Sequence, residues 1–146
     1  MDKVRLDDIQ LSPLKRIPTS GGDVMHALKR SDLLYNDFGE AYFSWVDFGS
    51  IKAWKRHGKM TLNLIVPLGE VLFAFYDPDS GTFRKETLGE SFYSRLTVPP
   101  NIWYGFQGLS EPQSLLLNIG NIEHDPQEVD RKEVDTVPFQ WDKIII

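Results

Sequence analysis

An all-β sandwich or barrel is the fold class this sequence predicts, on three observations. Short apolar runs recur at regular spacing between Gly, Pro and Asp turn signals. Only residues 126–132 carry a helical pattern, and that stretch is short and charged. Several runs, such as 72–76, are apolar on both faces, which calls for a second layer or a subunit interface outside the sheet.

The elements follow in chain order. Residues 4–6 predict a first strand and 14–17 a second short piece. Thr19-Ser20-Gly21-Gly22-Asp23 is a turn, and 23–28 fits a strand or a helical turn. Asp37-Phe38-Gly39 turns the chain into 40–46, which is rich in strand formers. The run 62–77 reads as two strands around a Pro/Gly turn. Asp77-Pro78-Asp79-Ser80-Gly81 is a strong hairpin signal. Strands over 82–87, 92–98 and 114–119 complete the series. The tail, Val137-Pro138-Phe139-Gln140-Trp141 and then Ile144-Ile145-Ile146, is apolar enough to pack on the body or on a partner.

Composition narrows the function. The 146 residues predict one domain, 1–146, with a sizeable core. A net charge of −5 argues against a nucleic-acid binder. The absence of cysteine excludes disulfides, thiolate metal sites and cysteine nucleophiles. No apolar run reaches the roughly 18 residues that span a bilayer, and the first eight residues hold no signal core. A cytoplasmic protein with no membrane association is expected. No Ser-His-Asp order or Gly-rich phosphate loop is present.

Against the acidic total, residues 50–60 concentrate Lys52, Lys55, Arg56, His57 and Lys59. Strand alternation would send Ile51, Ala53, Lys55 and His57 to one face and Lys52, Trp54 and Arg56 to the other. A lysine and a histidine on an interior face are costly without partners or work.

Six further segments stand in a definite order: Pro13-Leu14-Lys15-Arg16-Ile17; Phe38-Gly39-Glu40-Ala41-Tyr42-Phe43-Ser44; Gly49-Ser50-Ile51-Lys52-Ala53-Trp54; Gly69-Glu70-Val71; Val98-Pro99-Pro100-Asn101-Ile102-Trp103-Tyr104-Gly105-Phe106; and His124-Asp125-Pro126-Gln127-Glu128. Together, over residues 11–141, they resemble the cupins. More narrowly, they resemble the nucleotide-sugar 3,5-epimerases that act on dTDP-4-keto-6-deoxyglucose. The resemblance implies a jelly-roll barrel, a homodimer with exchanged N-terminal strands, a nucleotide-diphosphate sugar as ligand, and no metal or redox cofactor.

The resemblance also places roles. The family's basic histidine falls on Lys55, with His57 as the alternative placement. Its catalytic tyrosine falls on Asn118, and a second tyrosine on His124. The carboxylate that orients the base falls on Asp135. Tyr104 stands where the family's Pro-Pro segment carries histidine, and Asn101 where it carries glycine. Asparagine tolerates positive φ better than most residues, so the turn can survive.

Epimerisation beside a ketone needs a base, an acid, and a group to hold the developing enolate oxygen. Lys55 could be a neutral base or a cation on the enolate, or could simply pair with a carboxylate at the barrel mouth. His57 is the alternative base, or a barrel histidine bonded to a carbonyl. His124 or Tyr104 is the candidate acid; His124 also fits a surface loop. Asn118 cannot donate a proton as tyrosine can, but could touch substrate. Lys52, Arg56 and Lys59 could meet a diphosphate or could line a solvated edge. Trp103 and Tyr104 could stack on a base or sugar, or serve packing. Metal cupins need His-x-His, Glu and a second His, and only His57 is offered here. The expectation is an isomerase-class enzyme; the alternative is a cupin that has lost catalysis and serves as a binding or partner subunit.

Overall fold

The computed structural model describes residues 3–142. Twelve strands form: β1 (Gln10–Pro13), β2 (Arg16–Ile17), β3 (Val24–Met25), β4 (Glu40–Asp47), β5 (Ile51–His57), β6 (Leu62–Leu68), β7 (Glu70–Asp77), β8 (Thr82–Gly89), β9 (Ser94–Val98), β10 (Trp103–Gly108), β11 (Gln113–Gly120) and β12 (Val129–Arg131). Two five-stranded sheets, β1-β9-β6-β11-β4 and β12-β5-β10-β7-β8, make up the all-β jelly roll of a cupin, and β2-β3 is a small separate hairpin. Within the chain, β1 pairs with β9.

Turn chemistry accounts for most boundaries. Gly69, at φ 75, joins β6 to β7, and Gly81, at φ 70, closes the β7–β8 hairpin. Asn101 takes φ 72, and its N–H donates to the His57 carbonyl at 2.6 Å, tying the Pro-Pro turn to the end of β5. Residues 4–6 are not a strand; a single 3-10 turn, Leu6–Asp8, stands there, and the first strand begins at Gln10. The stretch 126–132 holds only a 3-10 turn, Pro126–Glu128, before β12. Asp125 caps that turn by accepting from the Gln127 N–H at 3.0 Å.

The sheets face each other across an apolar core that includes Leu62, Leu64, Val66, Leu96 and Leu116 from one and Val71, Phe73, Phe75 and Leu88 from the other. The doubly apolar strands of the second sheet have a cover supplied by the chain itself. Val137, Phe139 and Trp141 lie over Trp54, Ala74, Tyr76, Phe83 and Trp103 on its outer face. Gln107 clamps this strap: its Nε2 donates to the Asp142 carbonyl at 2.9 Å, and its Oε1 accepts the Asp142 N–H at 3.0 Å. The apolar tail thus packs on the body as far as Trp141; Ile144-Ile145-Ile146 lies outside the described residues. Among the described residues no such strap covers the first sheet at β4, where Phe43 and Trp45 are 64% and 50% exposed.

Candidate active site in the barrel

A cavity of about 620 Å³ opens between the sheets. Its walls include Tyr42 and Ser44 of β4, Leu64 of β6, and Leu116 and Asn118 of β11. Opposite them stand Lys52 and Lys55 of β5 and Tyr104 and Phe106 of β10. Arg131, Lys132 and Glu133 close one side.

The face of β5 differs from simple alternation. The β5–β10 ladder pairs Lys55 with Tyr104 but Ala53 with Gly105, so Trp54 is an extra residue, a bulge. Past the bulge the parity changes. Lys52 pairs with Phe106 and shares the inner face with Lys55, whereas Ala53 joins Trp54 in the outer aromatic cluster. Gly105 permits the close approach, because a Cβ there would sit 2.4 Å from the Ala53 Cβ.

Electrostatics sets Lys55 apart. It is half-buried, and among the described residues no carboxylate lies within ion-pair distance of its ammonium. Burial pushes its pKa down, Arg131 across the β12 ladder adds to the effect, and Lys52 adds less, against an opposing pull from Glu128. Lys52 itself donates to the Trp45 carbonyl at 3.2 Å.

His57 is buried beneath this wall, stacked on Tyr104 with ring centroids 6.1 Å apart. Its Nδ1 meets Glu128 Oε2 at 2.5 Å. Glu128 also accepts the N–H groups of Lys59 at 3.0 Å and Met60 at 2.8 Å. Burial opposes ionisation of Glu128, but the Met60 N–H, the His57 ring and the Lys59 N–H together hold its carboxyl below the usual range. Burial likewise keeps the His57 pKa low despite that carboxylate. A carboxylate only accepts, so Nδ1 carries the hydrogen of the neutral ring. Nε2, buried and without a partner among the described residues, is left as a free acceptor.

The opposite wall offers a hydroxyl. Asn118 and Tyr42 are cross-strand partners, and Asn118 Nδ2 donates to the Tyr42 hydroxyl at 2.9 Å. Asn118 Oδ1 has no partner among the described residues. Burial raises the Tyr104 hydroxyl pKa far above its ordinary value, which works against an ionised Tyr104.

Of the residues singled out in the sequence, Lys52, Lys55, Tyr104 and Asn118 line the cavity, with His57 directly behind. The others stand elsewhere. Arg56 lies on the outer face, bonded to Asp130 at 2.7 Å and over the Trp103 ring at 4.9 Å, so Trp103 faces outward as well. Lys59 is exposed past the end of β5, and His124 is exposed in the loop before the Pro126 turn. Asp135 is exposed in the Val134–Thr136 turn; the carboxylate on the buried histidine is Glu128 instead, because the β5–β12 pairing, Val129 opposite His57, brings residue 128, not 135, to the end of β5. Tyr42 and Arg131 join the site from segments read only as a strand and as a short charged helical stretch. Among the described residues, no three His, Asp or Glu side chains gather to hold a metal. No described helix is long and apolar enough to cross a membrane.

This architecture recurs with a related sequence in a dTDP-sugar isomerase from Desulfovibrio desulfuricans G20, 38% identical, with a TM-score of 0.87 over 92% of this chain and 91% of that one. The chain belongs to the dTDP-sugar isomerase family. No family model matches it. Among curated proteins, a probable low-salt glycan biosynthesis epimerase of Haloferax volcanii is 25% identical over 100 residues, a match spanning 64% of each chain. The fold, though not a close sequence, is shared with a variant of the 3,4-ketoisomerase QdtA from Thermoanaerobacterium thermosaccharolyticum in complex with TDP-4-keto-6-deoxyglucose. That likeness is 21% identical, with a TM-score of 0.75 over 88% of this chain and 90% of the other.

Proposed function

We propose that this chain is a nucleotide-sugar isomerase that moves a proton next to the ketone of a nucleotide-diphospho-4-keto-6-deoxy sugar. One observation carries the reading. A cavity large enough for a sugar holds, on one wall, an amine with no counter-ion among the described residues and, on the other, a hydroxyl–amide pair. An α-proton shift needs basic nitrogen on one side of the ring and a proton donor on the other. Lys55 supplies the first from the cavity wall, with the free Nε2 of His57 buried behind it, and Tyr42 the second. Lys52 and Arg131, cationic and aimed at the same space, suit an enolate oxygen or a diphosphate. Family membership supports the substrate class, as does the TDP-4-keto-6-deoxyglucose held by the 3,4-ketoisomerase that shares the fold.

The protein works as a homodimer in this reading. Phe43, Leu117, Trp45, Leu115 and Leu68 adjoin one another across β4, β11 and β6, and the exposed members make an apolar strip that a second copy would cover. Sedimentation of wild type and Trp45→Glu tests it: a dimer that dissociates in the variant is expected, and a monomeric wild type overturns it.

Activity is tested by incubating the protein with dTDP-4-keto-6-deoxyglucose in deuterated water and reading the sugar by NMR. Deuterium beside C4 is expected. Binding of dTDP without exchange would instead favour a binding subunit, and the absence of both binding and exchange would overturn the sugar-nucleotide reading.

A further inference from the structure

From the setting of Lys55, we infer that its amine is a covalent catalyst: Nζ forms a protonated Schiff base with the ketone carbon of the substrate. The inference rests on the function proposed above, since it needs a ketone in the barrel. Three features of the cavity support it. Lys55 lines the space where a sugar would sit, on the inner face of β5 past the bulge. Its ammonium has no carboxylate within ion-pair distance among the described residues, so no ion pair fixes it as a static cation. Two further cations share its surroundings, Arg131 directly across the ladder and Lys52 on the same wall. A desolvated lysine beside another cation is the arrangement that keeps an amine neutral enough to attack a carbonyl. The remaining ionisable groups around the cavity are Glu128 and His57 behind the wall, Tyr104 on β10, Lys132 and Glu133 after β12, and Tyr42 on the opposite wall.

The step balances without oxidant or reductant. Neutral Nζ adds to the carbonyl carbon, one of its two protons passes to the former carbonyl oxygen, and a second proton from solvent lets that oxygen leave as water; the later hydrolysis returns that proton. One C=O bond is replaced by C=N, and the iminium keeps one proton on nitrogen. The iminium withdraws electrons from both neighbouring carbons. Hydrogen leaves one of them as a proton to solvent, with His57 Nε2 a free acceptor on the same strand face. An enamine remains. A proton returns to that carbon, with the Tyr42 hydroxyl on the opposite wall as donor, and water hydrolyses the imine to restore ketone and amine. A lysine in this role makes α-hydrogen loss easier at either neighbour of the ketone without requiring the imidazole that the resemblance leads one to expect at position 55.

The test is reductive trapping. The full chain is incubated near neutral pH with dTDP-4-keto-6-deoxyglucose and cyanoborohydride, which reduces iminium far faster than ketone. Intact-mass measurement and peptide mapping follow, with deuterium exchange run in parallel. A single adduct per chain, mapped to Lys55 and absent from Lys55→Arg, is expected. Exchange into the sugar with no adduct overturns covalent catalysis and leaves the proposed function standing. Neither exchange nor adduct overturns both. Adduct spread over surface lysines, or equally present in Lys55→Arg, overturns the inference as well. Should Lys55→Arg fail to fold, the mapped position in the wild-type chain decides alone.

Discussion

Arg131 stands directly opposite Lys55 on the antiparallel β5–β12 ladder, two cations on one wall of the barrel cavity. Directly opposed side chains on a sheet leave about 5 Å between Cβ atoms, and like charges at that spacing destabilise each other. With burial, this contact keeps the Lys55 ammonium from its ordinary strength as an acid-stable cation. The penalty is useful where the neutral amine is the working form.

A first prediction concerns pH. Arg131→Met removes a neighbour that disfavours protonated Lys55, so the Lys55 pKa rises toward its ordinary 10.5. The acid limb of kcat/KM then moves to higher pH. Activity falls most near neutrality and recovers toward alkaline pH. Lys52→Met moves the limb the same way by less, since its effect on Lys55 is the smaller one. A profile that drops uniformly at every pH would mean that Arg131 acts only by binding substrate.

A second prediction concerns Glu128. From the 3-10 turn before β12, it joins the His57 ring and two backbone N–H groups in one buried contact set. Glu128→Ala leaves two amides and an imidazole unpaired, and breaking such a buried pair costs about 3 kcal/mol. Urea unfolding should show that loss as a lower midpoint with an unchanged slope.

How far the sequence carried the reading follows from these same residues. The strand series and the cupin order were legible because turns announce themselves locally: Gly69, Gly81 and the Asn101 turn sit where the composition places them. The β10 strand was not, since Trp103-Tyr104-Gly105-Phe106 follows a Pro-Pro turn at once and contains glycine. Which way Lys52 points was hidden by a bulge, a property of the β5–β10 pair and not of β5. Tyr42 was missed for a related reason. Apolar Phe43 and Trp45 argue for the inward face of β4, yet they face out, and the polar set Tyr42 and Ser44 lines the cavity. Glu128 stands 71 positions from His57, so no local pattern links them.

A third prediction is stability against acid. The His57 pKa is lowered in the folded chain, so below about 6.5 the unfolded chain binds protons that the folded one resists. Stability is therefore full above pH 6.5 and declines as pH falls from there. Glu128, also lowered, adds a second decline below its ordinary 4.5. His57→Gln should abolish the first decline and keep the second in thermal melts across that range. A wild-type melting temperature flat from pH 7 to 5 would contradict the assignment.

The last prediction separates the strap from the site. Gln107 is buried on the outer face of the second sheet, and its amide makes both bonds to Asp142. Replacing it with alanine removes two hydrogen bonds and leaves two backbone groups to water or to nothing, a cost of about 1–3 kcal/mol. The strap residues Phe139 and Trp141 contact Trp54, with ring centroids at 6.1 and 5.5 Å, so loosening them wets an indole that is now fully buried. Gln107→Ala should therefore red-shift tryptophan emission and speed proteolysis after residue 132. Because Trp54 is the bulge residue that sets Lys52 and Lys55 on the inner face, the variant should also weaken kcat/KM, though Gln107 does not line the cavity. Faster proteolysis with unchanged kcat/KM would show that the β10 and β12 ladders hold the bulge without the strap.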